Sequence, residues 1–175
     1  MGIGLEHHLQ AALPHLSTRA QRVVHVIQCG TSRTVTSRRV AALLGLPSRF
    51  ALGRMLRREG LPGVRELASW LDVLAWVILA ERSSTPLFVI ATRSHRSPAV
   101  CYRMVKRLTG LTWVALRARG SQWVLRLFID RCQEIGCALA ADEQRHRVPE
   151  DLKRISSAES KAAILNPGHQ DTTML

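Results

Sequence analysis

The sequence predicts an all-α protein in which two helix-turn-helix subdomains are joined by a long linker helix. Three observations predict it. Apolar residues recur at three- and four-residue spacing between serine caps and glycine stops, a basic helical segment recurs 49 residues further on, and the stretch between the two copies is long and mostly apolar. With 46% hydrophobic residues in a chain of 175, a core of ordinary size is available and general disorder is excluded.

Residues 1–16 carry Leu5, Leu9, Leu13 and Leu16 around Pro14 and read as an arm or a marginal helix. Ser17 is the cap of a helix over residues 18–28, with Val23, Val24 and Ile27 on one face and Gly30 as its stop. A polar turn follows, and Ser37 is expected to cap a short helix over residues 38–44 that ends at Gly45. Beyond Leu46 and Pro47, Ser48 caps the next helix, which runs to Glu59 and stops at Gly60. This is the plan in which the second helix of a pair lies in a major groove of DNA, although many helical bundles that touch no DNA share it.

Residues 63–81 make a long helix whose apolar face, including Leu67, Trp70, Leu71, Leu74 and Ile78, is wide enough to be buried on more than one side. Residues 83–86 break the chain, and Pro86 suits the first turn of a short helix over residues 87–92. Residues 94–96 form a turn. Ser97 and Pro98 then open a second helix that runs to Thr109 and stops at Gly110.

The segment Ser48–Arg58 aligns without gaps on Ser97–Arg107. Apolar positions match, as in Leu52 with Cys101, Met55 with Met104 and Leu56 with Val105, and so do basic ones: Arg54 with Arg103, Arg57 with Lys106, Arg58 with Arg107. Two helices that share both an inward and a basic outward face read as a duplicated reading head. Beyond Gly120, one amphipathic stretch covers residues 123–135. The expected organisation is an arm over 1–16, the double unit over 17–120, a helix within 121–137, and a flexible tail over 138–175, where some helix near residues 150–164 stays open.

The net charge is +12, and its placement is informative. Residues 18–120 hold 18 Lys or Arg against four acids, a local charge of +14, so the rest of the chain is weakly acidic. Charge concentrated on one segment, and carried there by arginine, suits a polyanion that presents phosphates and guanine edges; a merely solvated basic face is the plainer alternative. The apolar run at residues 71–80 is far too short for a membrane span, and the N-terminus lacks the basic start and apolar centre of a secretory signal. No membrane partner is expected, and the expected location is the cytoplasm.

Cys29, Cys101, Cys132 and Cys137 stand singly apart from one C-x4-C spacing with no completing cluster, so buried thiols are expected rather than a metal or redox site. Signatures of zinc peptidases, P-loop enzymes and serine hydrolases are missing, His25 and His95 read as packed or turn residues, and no catalytic residue or cofactor is expected.

Arg54 and Arg103 are the first candidates for base reading, because an arginine on a major-groove helix donates twice to guanine. Arg49, Phe50, Ala99 and Tyr102 complete that set, with Phe50 either touching a thymine methyl or lying in the core. Arg57, Arg58, Lys106 and Arg107 suit phosphates, and Ser48 and Ser97 are helix caps first and phosphate contacts second.

With these elements in place, residues 17–120 resemble the DNA-binding domain of the AraC/XylS family. The resemblance lies in Val40-Ala41-Ala42-Leu43-Leu44-Gly45-Leu46, in Leu52–Gly60, and in Ala75 with Ile78 and Leu79 on the linker. It implies a seven-helix, homeodomain-like fold whose two recognition helices enter successive major grooves. It further implies a bacterial transcription regulator that is cytoplasmic and associated with the nucleoid, with double-stranded DNA as partner and RNA polymerase as a further one. With sixteen residues before the domain, the small-molecule barrel that many relatives carry is not expected. The chain departs from the family where Leu71 replaces a basic residue, where Ser94-His95 replaces a turn Gly-Phe, where Val105 replaces a phenylalanine and where Trp113 replaces a proline. Those changes predict a looser second unit. A helical protein-protein adaptor derived from such a domain is the alternative, distinguished by an apolar rather than basic outward face over Ala99, Tyr102, Arg103 and Lys106.

Overall fold

The computed structural model describes Leu9, residues 11–30 and residues 35–164, with side-chain surroundings up to residue 142 and at 144 and 145. Eight helices are described: α1 (Thr18–Cys29), α2 (Ser37–Leu43), α3 (Arg49–Arg58), α4 (Val64–Ser83), α5 (Leu87–Arg93), α6 (Pro98–Thr109), α7 (Trp113–Arg119) and α8 (Ser121–Ile164). There is no strand among the described residues. The protein is all-α, as expected.

The caps follow the sequence in most places. The Ser17 hydroxyl accepts from the Ala20 amide at 3.3 Å, and Ser48 accepts from Ala51 at 3.1 Å, so each satisfies one of the orphan amides of a first helical turn. Two assignments are corrected. Thr36, one residue earlier than expected, caps α2 by accepting from Arg39, and Ser97 occupies the cap position of α6 without a side-chain hydrogen bond, the Val100 amide donating instead to the Ser97 carbonyl at 3.0 Å.

The chain divides into two compact units, Met1–Cys137 and Ala138–Leu175. In the first unit, α4 is the central element: 11 of its 20 residues are buried, which makes it the common wall of the core. Helix α1 packs on α2 and α4, α2 on α3, α5 on α4 and α6, and α7 on α4 and α6. The start of α8 runs antiparallel to α4. The Glu81 carboxylate near the C-terminal end of α4 accepts from the Ser121 amide and hydroxyl, both at 2.6 Å, while Glu66 near the other end pairs with Arg131 at 3.0 Å. Between these ends Phe128 meets Trp70, ring centroids 5.8 Å apart.

The repeat is larger than α3 and α6. The buried residues of α1, Ala20, Val23, Val24 and Ile27, recur 50 positions on in α4 as Trp70, Val73, Leu74 and Val77. Val40 and Ala41 of α2 recur as Ile90 and Ala91 of α5. The second half of α4 therefore serves the second copy of the repeat as α1 serves the first. Each copy is a three-helix motif within the first unit.

Three parts of the sequence reading are corrected here. Leu9, Leu13 and Leu16 are buried at 3–8% exposure, so this part of the arm belongs to the core; Leu5 lies outside the described residues. Helix α7 was not foreseen, although Thr112 caps it by accepting from Ala115 and Gly120 ends it. Helix α8 continues over residues 138–164: near residues 150–164, where helix had stayed open, and also over residues 138–149, where the lack of an apolar period had suggested a tail. Alanine, glutamate, glutamine, arginine and lysine, abundant there, favour helix without any such period.

Candidate nucleic-acid interface

The two short turns decide how α3 and α6 leave their partner helices. In the first, Gly45 adopts φ +64°, and the Leu46 amide bonds back to the Ala41 carbonyl at 2.9 Å. In the second, His95 adopts φ +52°, and the Arg96 amide bonds back to Ala91 at the same distance. The bonds from the preceding residues match too, Gly45 to Ala42 and His95 to Thr92. This is one helix-ending geometry made twice, with a left-handed residue followed by an amide that closes on the last turn. His95, not Ser94, is thus the counterpart of Gly45, and Arg96 that of Leu46. The second turn thus makes the geometry of the first without its glycine.

Arg96 fills its slot by electrostatics. Its guanidinium donates to Asp72 of α4 at 2.7 Å, with side chains only 17% and 24% exposed, and it lies over the Trp76 ring at 5.5 Å. Burial pushes the Asp72 carboxyl above its usual range, and the charge and hydrogen bond of Arg96 oppose that rise only in part. The same arginine and aspartate adjoin Cys101 at the buried face of α6, whose thiol burial also pushes up. The ion pair therefore ties the second turn to α4. Sequence reasoning missed this pair, because a charge in an apolar slot signals nothing until its partner 24 residues away is known.

The inward faces of α3 and α6 are built alike. Leu52 and Leu56 are buried in one, Cys101 and Val105 in the other, all at 0–1% exposure, and Met55 and Met104 are half-buried. The outward faces hold the candidate residues. Arg49, Phe50, Arg54, Arg57 and Arg58 on α3 are exposed, as are Ala99, Tyr102, Arg103, Lys106 and Arg107 on α6; Ser97 is exposed and Ser48 half-buried. Phe50 is 64% exposed, so it is no core residue, and the Arg49 guanidinium stacks on its ring at 4.9 Å. Ala51 is half-buried, whereas its counterpart Val100 is 42% exposed.

The four acids of the basic segment are all engaged elsewhere. Glu59 accepts from the Ser17 amide at 2.9 Å, Glu66 pairs with Arg131, Asp72 with Arg96, and Glu81 holds Ser121. Among the described residues of 18–120, Arg96 is the one Lys or Arg in an ion pair. The outward arginines of α3 and α6 consequently keep their full charge for a partner.

Comparison of the chain with protein-family models, curated proteins and solved structures finds no match.

Other chemistry has less support on these surfaces. No group of three His, Cys, Asp or Glu side chains gathers as a metal site among the described residues. Cys101 and Cys132 are buried, and burial pushes the Cys132 thiol up to about 12. The expectation of four buried thiols fails at Cys29 and Cys137, which are exposed. No single described helix is long and apolar enough to cross a membrane, and the apolar length of α4 is spent in the core.

Proposed function

We propose that the protein is a double-stranded DNA-binding transcription regulator of the AraC/XylS kind, presenting α3 and α6 to successive major grooves. The observation that carries this reading is the pairing of two equivalent turns with two helices whose outward arginines have no carboxylate partner among the described residues, while every acid of residues 18–120 is engaged by another group of the chain. Counterion release on meeting phosphates rewards such unpaired charge. Arg54 and Arg103 act as the base readers, with Arg49, Phe50, Ala99 and Tyr102 beside them. Arg57, Arg58, Lys106 and Arg107 hold phosphates, as do Ser48 and Ser97 at the helix starts. RNA polymerase is the expected protein partner of such a regulator.

The experiment is selection of bound duplexes from a random pool, followed by affinity measurements on the selected site and on a scrambled one. Arg54→Ala and Arg103→Ala should each cost about 1–3 kcal/mol on the selected site and much less on the scrambled one. Because the two turns share one geometry, both heads are expected to read bases. If neither variant changes preference, the two arginines lose this role.

A second reading has its own support. Phe88, Val100 and Val114 are 59%, 42% and 78% exposed, an apolar component that suits a helical protein-protein adaptor. Retention of a protein partner by a chain that fails to bind duplex DNA would favour it.

A further inference from the structure

Away from the outward faces of α3 and α6, the first unit contains a pocket of about 270 Å³ that is partly open to solvent. Small-molecule sites are concave and mostly apolar, with a few polar groups that fix the ligand's orientation. The walls are Leu13 and Leu16 of the N-terminal segment on one side and Leu67, Leu71 and Phe128 of α4 and α8 on the other. Polar groups enter from one direction. Thr18, Gln21, Arg22 and His25 of α1 also line the cavity, and their spacing of three, four and seven residues puts them on one stripe of that helix. Arg22 is exposed and has no carboxylate within ion-pair distance among the described residues. An apolar chamber with a single free guanidinium at its rim is complementary to a molecule that is hydrocarbon at one end and a planar anion at the other.

We propose that this cavity binds a small amphipathic organic acid, its hydrocarbon part between Leu13, Leu67, Leu71 and Phe128 and its carboxylate on Arg22. A straight-chain acid of about ten carbons has the right scale for a pocket of this class. The ligand touches the N-terminal leucines, α1, α4 and α8 together, and α1 and α4 are the helices on which the two helix pairs are mounted. Occupancy therefore favours the arrangement seen here over any in which the N-terminal segment leaves α4.

The test uses the full chain without DNA, so that its outcome is independent of the DNA-binding reading. Decanoate, below its micelle-forming concentration, is titrated by calorimetry and by thermal melting, with decanol and acetate as comparators. Decanoate should bind saturably and raise the melting temperature, acetate should do neither, and decanol should bind roughly threefold to tenfold more weakly for want of the charge-assisted bond. Arg22→Gln should bring decanoate down to the decanol value and leave decanol unchanged. Leu71→Phe, which narrows the chamber, should weaken both; if circular dichroism shows that this variant does not fold, Leu13→Phe narrows it from the opposite wall. Lack of saturable decanoate binding, or equal decanoate affinity in the wild type and Arg22→Gln, overturns the proposal.

Discussion

Gly45 and His95 hold the same left-handed backbone at φ +64° and +52°, but only one of them does so without a side-chain penalty. An L side chain in this region costs about 1–2 kcal/mol. A Cβ added at Gly45 meets nothing within 4 Å, so Gly45→Ala should cost about 1 kcal/mol through backbone strain alone. His95→Gly, conversely, should be neutral or stabilise by up to about 1 kcal/mol. Chemical denaturation of the two variants measures both, and a loss of stability in His95→Gly would show that the imidazole contributes something beyond its backbone. The neighbouring Arg96 invites a second comparison. Arg96→Ala leaves the carboxylate of Asp72 buried without its partner and should cost about 3 kcal/mol, whereas replacing both residues by leucine, which copies Leu46 of the first turn, should restore most of that. The pH dependence has a definite sign. Because burial raises the Asp72 carboxyl above 3.8 in the folded state, its stabilising contribution is complete below that value and is lost as pH rises through the folded one. Wild-type stability should therefore fall relative to Asp72→Asn as pH is raised through the acidic range. A rise instead would show that the ion pair outweighs desolvation. Gly45 was legible as a turn residue because glycine reports its own conformation; His95 and Arg96 were not, because their conformation and burial are imposed by α4.

Helices α3 and α6 differ most at their starts. Ser48 makes its capping bond to Ala51, so Ser48→Ala should cost about 1 kcal/mol, while Ser97→Ala, where no such bond exists, should cost only a few tenths. Thermal melting of the two alanine variants checks this, and equal losses would remove the distinction. The elements announced by a cap and a glycine stop, α1, α3 and α6, could be read from the chain almost to the residue. Helix α7 is only seven residues long, and its buried pair, Trp113 and Leu116, gives too little periodicity to separate it from a loop. Residues 138–164 posed the opposite difficulty, since helix there rests on intrinsic propensity and leaves no apolar stripe to detect.

At the scale of the molecule, the first unit is one three-helix motif made twice around a shared helix. The duplication was visible first in its most conspicuous part, the basic segment at a spacing of 49. The burial pattern extends it to α1 and α4 at a spacing of 50. Pro47 accounts for the difference: the first turn has one residue more than the second before its next helix begins, and α6, 12 residues against 10 in α3, recovers the register by Gly110. Such an offset hides the full repeat from an ungapped alignment. The segment's charge of +14 was equally plain in the sequence, but whether it was available to a partner was not. That depended on where Glu59, Glu66, Asp72 and Glu81 went, and all four are held internally by Ser17, Arg131, Arg96 and Ser121.

The central claim, that this unpaired charge serves duplex DNA, is tested most directly by the salt dependence of binding. Fluorescence anisotropy of the full chain on a labelled duplex, repeated across potassium chloride concentrations, gives the slope of log affinity against log salt. Each phosphate neutralised contributes about −0.9, so contacts from both heads should give a slope near −5, and Arg57→Ala or Lys106→Ala should each reduce it by about 1. No detectable binding at low salt, or a slope near zero, would contradict the account.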